Sequence, residues 1–159
     1  MKRIVLSIVL LASLAGNGMA QSPLKLPALS PNTKLVQDFS ISNIEISYSR
    51  PSMRGRKIMG DIIPYGHVWR TGANENTEIK FYQDATIQGK KVKAGTYSLF
   101  SIPGETEWTI ILNSDLDYWG AFKYKQENDV LRFTVPSKKS TDAPLENFSI
   151  NFPKGNAAV

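Results

Sequence analysis

Four of the five arginines that follow residue 20 fall within residues 50–77, RPSMRGRKIMGDIIPYGHVWRTGANENT. They are Arg50, Arg54, Arg56 and Arg70. The single histidine, His67, and one of three tryptophans, Trp69, share this segment, whereas the lysines are spread along the chain. A guanidinium is a rigid planar fork of donors that matches carboxylate, phosphate and carbonyl oxygens, so a local excess of arginine points to recognition of such groups. In one reading, Arg54, Arg56 and Arg70 clamp an anionic ligand, Asn74 and Glu75 add polar contacts, and Trp69 or Tyr65 offers a stacking face. In the other, the guanidiniums bind carbonyls of their own loop and the carboxylates of Asp61 or Glu75, because a long ordered loop must pair its buried backbone groups.

Other reactive constellations are thin. His67 has no cysteine and no second histidine beside it, which argues against a zinc site of the usual nitrogen and sulfur type and makes it a structural or rim residue. No Gly-x-Ser-x-Gly elbow supports a serine nucleophile. Asn113, Asp115 and Asp117 alternate as calcium ligands do, but the glycine and glutamate of an EF-hand loop are missing, and Asx turns after a strand explain them. Glu75 with Glu78, and Glu105 with Glu107, are pairs of the kind a glycosidase uses, though so close along the chain they read as solvated. Trp108 and Trp119 read as core. No metal and no cofactor is expected.

The elements that must position these residues are strands. Ile44, Ile46 and Tyr48 alternate with polar residues, as do Ile79 and Phe81, Leu131, Phe133 and Val135, and Phe148, Ile150 and Phe152, which is the period of a half-buried strand. Residues 86–87 and 91–92 flank Gln88-Gly89-Lys90, a tight hairpin. Residues 96–102 (TYSLFSI) and 108–112 (WTIIL) are apolar on both faces and predict a central hairpin. Val68-Trp69-Arg70 predicts a further short strand. No window carries a helical stripe. The expectation is an all-β fold: a single antiparallel β-sandwich or jelly-roll-like domain with one long irregular loop.

The ends bound the compartment. Lys2 and Arg3, the apolar run from Ile4 to Leu14, and Gly18-Met19-Ala20 predict a signal peptide over residues 1–20, cleaved before Gln21. Residues 21–33 read as a proline- and serine-rich arm, and residues 34–159 as the β domain. Cleavage removes two positive charges, so the formal net charge falls from +5 to +3. That mild charge and an extracytoplasmic location argue against nucleic acid. No later run approaches the ~20 apolar residues of a membrane helix. Without cysteine, stability rests on a packed core alone.

Residues 49–113 resemble a family of secreted bacterial proteins, domain of unknown function 2911. The resemblance rests on Tyr48-Ser49-Arg50-Pro51-Ser52, on Arg54-Gly55-Arg56, and on Pro64-Tyr65-Gly66 with Val68-Trp69-Arg70-Thr71-Gly72-Ala73-Asn74-Glu75. Ala94-Gly95-Thr96-Tyr97-Ser98-Leu99-Phe100, Glu107-Trp108 and Asp117-x-Trp119-Gly120-Ala121 continue it. The resemblance implies a secreted β-rich domain and carries over no activity and no catalytic residue. It also implies at least one strand beyond Phe148–Phe152. An apolar strand so near a terminus needs a partner or an edge defence, so Phe148–Phe152 is expected either to be internal to the sheet or to be followed by a natural chain that continues past Val159.

Taken together, these features predict a secreted or periplasmic module that binds a carbohydrate or anionic envelope polymer through Arg54, Arg56, Tyr65, His67, Trp69, Arg70, Asn74 and Glu75. A glycan- or ester-directed hydrolase with Glu75 or His67 as acid/base is the first alternative. A structural envelope protein pairing through a sheet edge is the second.

Overall fold

A computed structural model of the chain describes residues 26–39 and 41–152. The predicted signal segment, residues 21–25 of the arm, Ser40 and the last seven residues, Pro153 to Val159, lie outside these. Eight strands follow in order: β1 (Asn32–Phe39), β2 (Ser42–Ser49), β3 (Thr77–Phe81), β4 (Ala85–Ile87), β5 (Lys90–Val92), β6 (Gly95–Ile102), β7 (Glu107–Asn113) and β8 (Asp129–Pro136). Among the described residues the only helical element is a 3-10 turn at Gln126–Asn128. The all-β expectation therefore holds. Six strands form one antiparallel sheet in the order β1-β2-β3-β6-β7-β8, and β4-β5 form a separate hairpin. β1 starts two residues inside the stretch read as arm.

The central pair β6–β7 carries apolar residues on both faces, as the sequence predicts, because each face is covered by a different part of the chain. On the first face, Phe81, Val92, Tyr97, Leu112 and Leu131 form one cluster. The β4–β5 hairpin covers it with Ala85 and Ile87. That hairpin turns at Gln88-Gly89, both with positive φ (47° and 78°), the backbone of a two-residue turn that matches strand twist. On the second face, Phe100, Ile111 and Tyr118 pack with Val68, Ala121 and Tyr124, so the segment after β7 is the cover. Phe100 and Ile111 are wholly buried, each worth about 1.5–3 kcal/mol of transfer free energy.

The Phe148–Phe152 strand does not form. Residues 145–152 pass along the start of the arginine segment without forming a strand, joined to it by one bridge, Ser52↔Asn147. Phe148 N–H donates to Pro51 C=O (2.9 Å), but Pro51 has no N–H to return, so the ladder cannot continue. Ile150 N–H turns instead to the Tyr48 hydroxyl (3.0 Å).

Two tyrosines of the second cluster resist ionisation. Burial, and then the hydrogen bond to Asp129, push the Tyr124 phenol far up. Burial pushes the Tyr118 phenol up as well, and its hydroxyl has no hydrogen-bond partner among the described residues. A phenol in the unfolded chain ionises near pH 10, about the reference value. The unfolded state therefore loses its protons first as pH rises, and the stability these groups contribute is full below about pH 10 and declines above it. Urea midpoints measured from about pH 9 to 11 should fall, and fall less in Tyr124→Phe. A decline of equal slope in wild type and variant would contradict this assignment.

Candidate functional site

The arginine segment folds back over the first face of the sheet, beyond the reach of the β4–β5 hairpin. Its two ends are anchored. Arg50 N–H donates to Pro31 C=O (3.0 Å), while Trp69 and Ser101 exchange both backbone hydrogen bonds (2.7 and 2.9 Å). The short strand expected at residues 68–70 is thus this single bridge, which continues the row of β3 along β6. Between the anchors the chain turns at Arg54 and Gly55 (φ 52° and 69°) and again at Gly60 (φ 77°). Ile63 N–H closes the second turn onto Ile58 C=O (2.9 Å). Thr71 holds the far end by its hydroxyl on Ser101 Oγ (2.9 Å), and its own carbonyl accepts from Thr77 Oγ1 (2.9 Å).

Three of the four arginines are spent on this architecture. Arg50 donates to Phe148 C=O (3.1 Å) and Ser149 Oγ (2.9 Å), which pins residues 148–149 to the end of β2. Arg54 donates to Leu29 C=O (3.3 Å). Arg56 donates from Nε to Met53 C=O and from Nη2 to Ser52 C=O, both 2.9 Å. Apart from the Ser149 hydroxyl the partners are carbonyls, not Asp61 or Glu75: none of the three ion pairs among the described residues involves these arginines. Arg70 differs. Its Nε is buried with no hydrogen-bond partner among the described residues, and burial lowers its pKa from the ordinary value. Its Nη1 lies against Gly120, where a Cβ would meet it at 2.6 Å. Gly120 (φ 79°) is therefore required twice, for its backbone conformation and for this approach.

Trp69 is buried, not a stacking platform. Its indole N–H donates to Gly72 C=O (3.1 Å). Its ring meets Phe148 edge-on at 5.0 Å and Trp108 at 6.2 Å. These three rings form the floor of a cavity of about 760 Å³ between the sheet and the arginine segment. Its apolar walls come from Met53, Ile58, Met59, Ile62, Ile63 and Leu145. No aspartate, glutamate or histidine lines it. The exposed side chain of Arg56 sits at its edge, and no bond is made by its Nη1 among the described residues.

Of the residues singled out from sequence, Arg56, Trp69 and Arg70 meet at this cavity. Arg54, Tyr65, His67 and Asn74 do not line it. Tyr65 packs its ring on Gly60, His67 bonds the Tyr65 carbonyl through Nδ1 (3.0 Å), and Asn74, with φ 61°, donates to Ser30 C=O (3.3 Å). Glu75 lies in a smaller groove with Trp119. Trp119, read as core, is 66% exposed. The Asx turns are present: Asp115 N–H donates to Asn113 Oδ1 and Asp117 N–H to Asp115 Oδ1. Among the described residues no group of three or more His, Asp or Glu is placed to hold a metal ion.

Sequence reasoning missed the walls. The signal was available: Ile58, Met59, Ile62 and Ile63 concentrate apolar groups in a stretch with no strand period, and a loop that covers a cavity needs such groups where a solvated loop does not.

Comparison with known proteins gives one result. A family described as protein of unknown function (DUF2911) matches residues 30–159. No curated protein and no solved structure matches the chain.

Proposed function

Since the chain belongs to the DUF2911 family, whose description gives no activity, we propose its role from the cavity itself: an extracytoplasmic β module that binds an amphipathic envelope component, its apolar body inside the cavity and its anionic group at Arg56. The observation that carries this reading is the pairing of an apolar cavity of about 760 Å³ with a guanidinium at its edge that has donors to spare. The volume falls in the range of small-molecule sites, which are mostly apolar with a few placed polar groups. Burying an acyl chain against Trp69, Trp108 and Phe148 supplies the affinity, and the Arg56 fork selects a carboxylate or phosphate end. The cavity walls offer no carboxylate to act as acid or base, so binding without turnover is the reading they support.

The test is calorimetric titration of the protein with palmitate and, separately, with hexadecanol of the same chain length. Palmitate should bind saturably, and more tightly than the alcohol. Arg56→Ala should weaken palmitate about tenfold more than hexadecanol, the worth of one charge-assisted hydrogen bond, since loss of the Arg56 ties to Met53 and Ser52 acts on both ligands alike. The reading fails if palmitate does not bind, or if the acid and the alcohol bind alike. The extracytoplasmic location is tested by N-terminal sequencing of the protein recovered from its native host, where Gln21 is expected as the first residue.

A further inference from the structure

A second groove, of about 360 Å³, lies on the other face of the sheet. Ser47 and Glu78 are register partners of β2 and β3 and share that face. Asn32 joins them from β1, within reach of the Ser47 hydroxyl (3.5 Å). The segment after β7 covers the second face only over β6 and β7, and it ends here in a step. That step is held firmly. Ser98 Oγ donates to Asp115 C=O (2.6 Å), Asn76 Nδ2 donates to Ser98 Oγ (2.7 Å), and Asn76 N–H reaches Tyr118 C=O (3.4 Å). The antiparallel bridge Glu75↔Trp119 sets these two side chains on the same side of the backbone pair.

The groove's chemistry is the opposite of the apolar cavity's. Its lining holds three carboxylates (Glu75, Glu78 and Asp117), two amides (Asn32 and Asn76) and two hydroxyl residues (Ser47 and Tyr118), and no lysine, arginine or histidine. The acids are too dispersed to hold a metal ion. Beside them Trp119 shows two-thirds of its surface to solvent. A tryptophan this exposed adds little buried surface to the fold, and the backbone bonds at Glu75 and Asn76 fix it at the lip. A flat indole beside a row of hydroxyl acceptors is complementary to a pyranose, whose C–H face is apolar and whose rim carries O–H donors. An anionic polymer is disfavoured by the three carboxylates.

We propose that this groove binds a neutral or amino sugar unit of a glycan, with Trp119 stacking on the ring and Glu75, Glu78 and Asp117 accepting hydrogen bonds from its hydroxyls. This site lies on the face opposite the apolar cavity and is independent of it. It also reverses the charge expected from the arginine-rich segment.

Calorimetric titration with chitotetraose, cellotetraose and mannotetraose, beside polygalacturonate, tests this. At least one neutral or amino-sugar tetramer should bind saturably, and polygalacturonate should not. Trp119→Ala should weaken that binding about tenfold or more, as should Asp117→Asn, with the thermal midpoint of the exposed-site variant Trp119→Ala unchanged. Arg56→Ala should leave sugar binding intact, which separates failure here from failure of the apolar-ligand reading. The proposal is overturned if none of the three tetramers binds, if polygalacturonate binds as well as they do, or if Trp119→Ala binds like wild type.

Discussion

Trp69→Ala is expected to destabilise the fold by about 3–5 kcal/mol, the cost of truncating a large buried aromatic. Three losses add up. The ring is 9% exposed and packs edge-on against Trp108 and Phe148, so burial and ring contacts both go. The Gly72 carbonyl loses the indole N–H that satisfies it. The void left behind opens onto the existing cavity, whose apolar walls give entering water few partners. Phe148 would also lose its main aromatic neighbour, leaving residues 148–150 held by Arg50, Tyr48 and the Pro51 carbonyl. Trp69→Phe should cost less, about 1–2 kcal/mol, since volume and ring contacts are partly kept. Denaturant unfolding measures both. A cost under about 1 kcal/mol for Trp69→Ala would show that Trp69 does not build the cavity floor.

Asp129→Ala should cost about 3 kcal/mol, the lower end for breaking a buried ion pair. The Asp129 side chain is 6% exposed and lies at the start of β8. Its Oδ2 accepts from the Tyr124 hydroxyl (2.6 Å) and Arg132 Nη1 (3.1 Å), and its Oδ1 from Asn113 Nδ2 (2.9 Å). Removing it leaves three donors short of an acceptor, one of them on wholly buried Asn113. The figure sits at the lower end because Arg132 is 31% exposed and water can serve it. Asp129→Asn keeps the shape and one acceptor and should lose about half as much. A double variant with Tyr124→Phe should cost less than the sum of the single changes, because both act on one network. Full additivity would show that the phenol and the carboxylate do not depend on each other.

The β6–β7 hairpin was legible from the chain because its signal is local. Residues 96–102 and 108–112 are apolar on both faces, and a strand that reads so can only be central. The β4–β5 hairpin was legible for a similar reason, since Gln88-Gly89 supplies the two positive φ values its turn requires. The Phe148–Phe152 segment shows where periodicity misleads. Its alternation is genuine, and Phe148 does pack on Trp69 and Tyr48, but strand pairing needs a neighbour with free donors, and Pro51 faces it.

The site was legible as a place and not as a chemistry. Residues 50–77 were recognisable as a long irregular stretch, and the loop-tying reading holds for Arg50, Arg54 and Arg56, whose guanidiniums take carbonyls, while the Arg70 Nε is left unpaired among the described residues. Which reading applied to which residue depends on carbonyls as distant as Phe148, ninety-eight positions from Arg50. The two tryptophans exchanged roles for the same reason. Trp69 is buried because residues 145–150 return to cover it, and Trp119 is exposed because the segment covering the second face stops one strand short of β3.

By itself, then, the amino-acid order determined the strand periods, the turns, the all-β class and the segment that would break the regularity, since each depends on neighbours a few residues apart. Only the tertiary structure decided that residues 50–77 roof an apolar cavity, that most of their cations are consumed by carbonyls, and that the exposed tryptophan faces carboxylates on the far side of the sheet. Burial and hydrogen-bond partnership are set by the whole chain's return paths, and no local spacing encodes them.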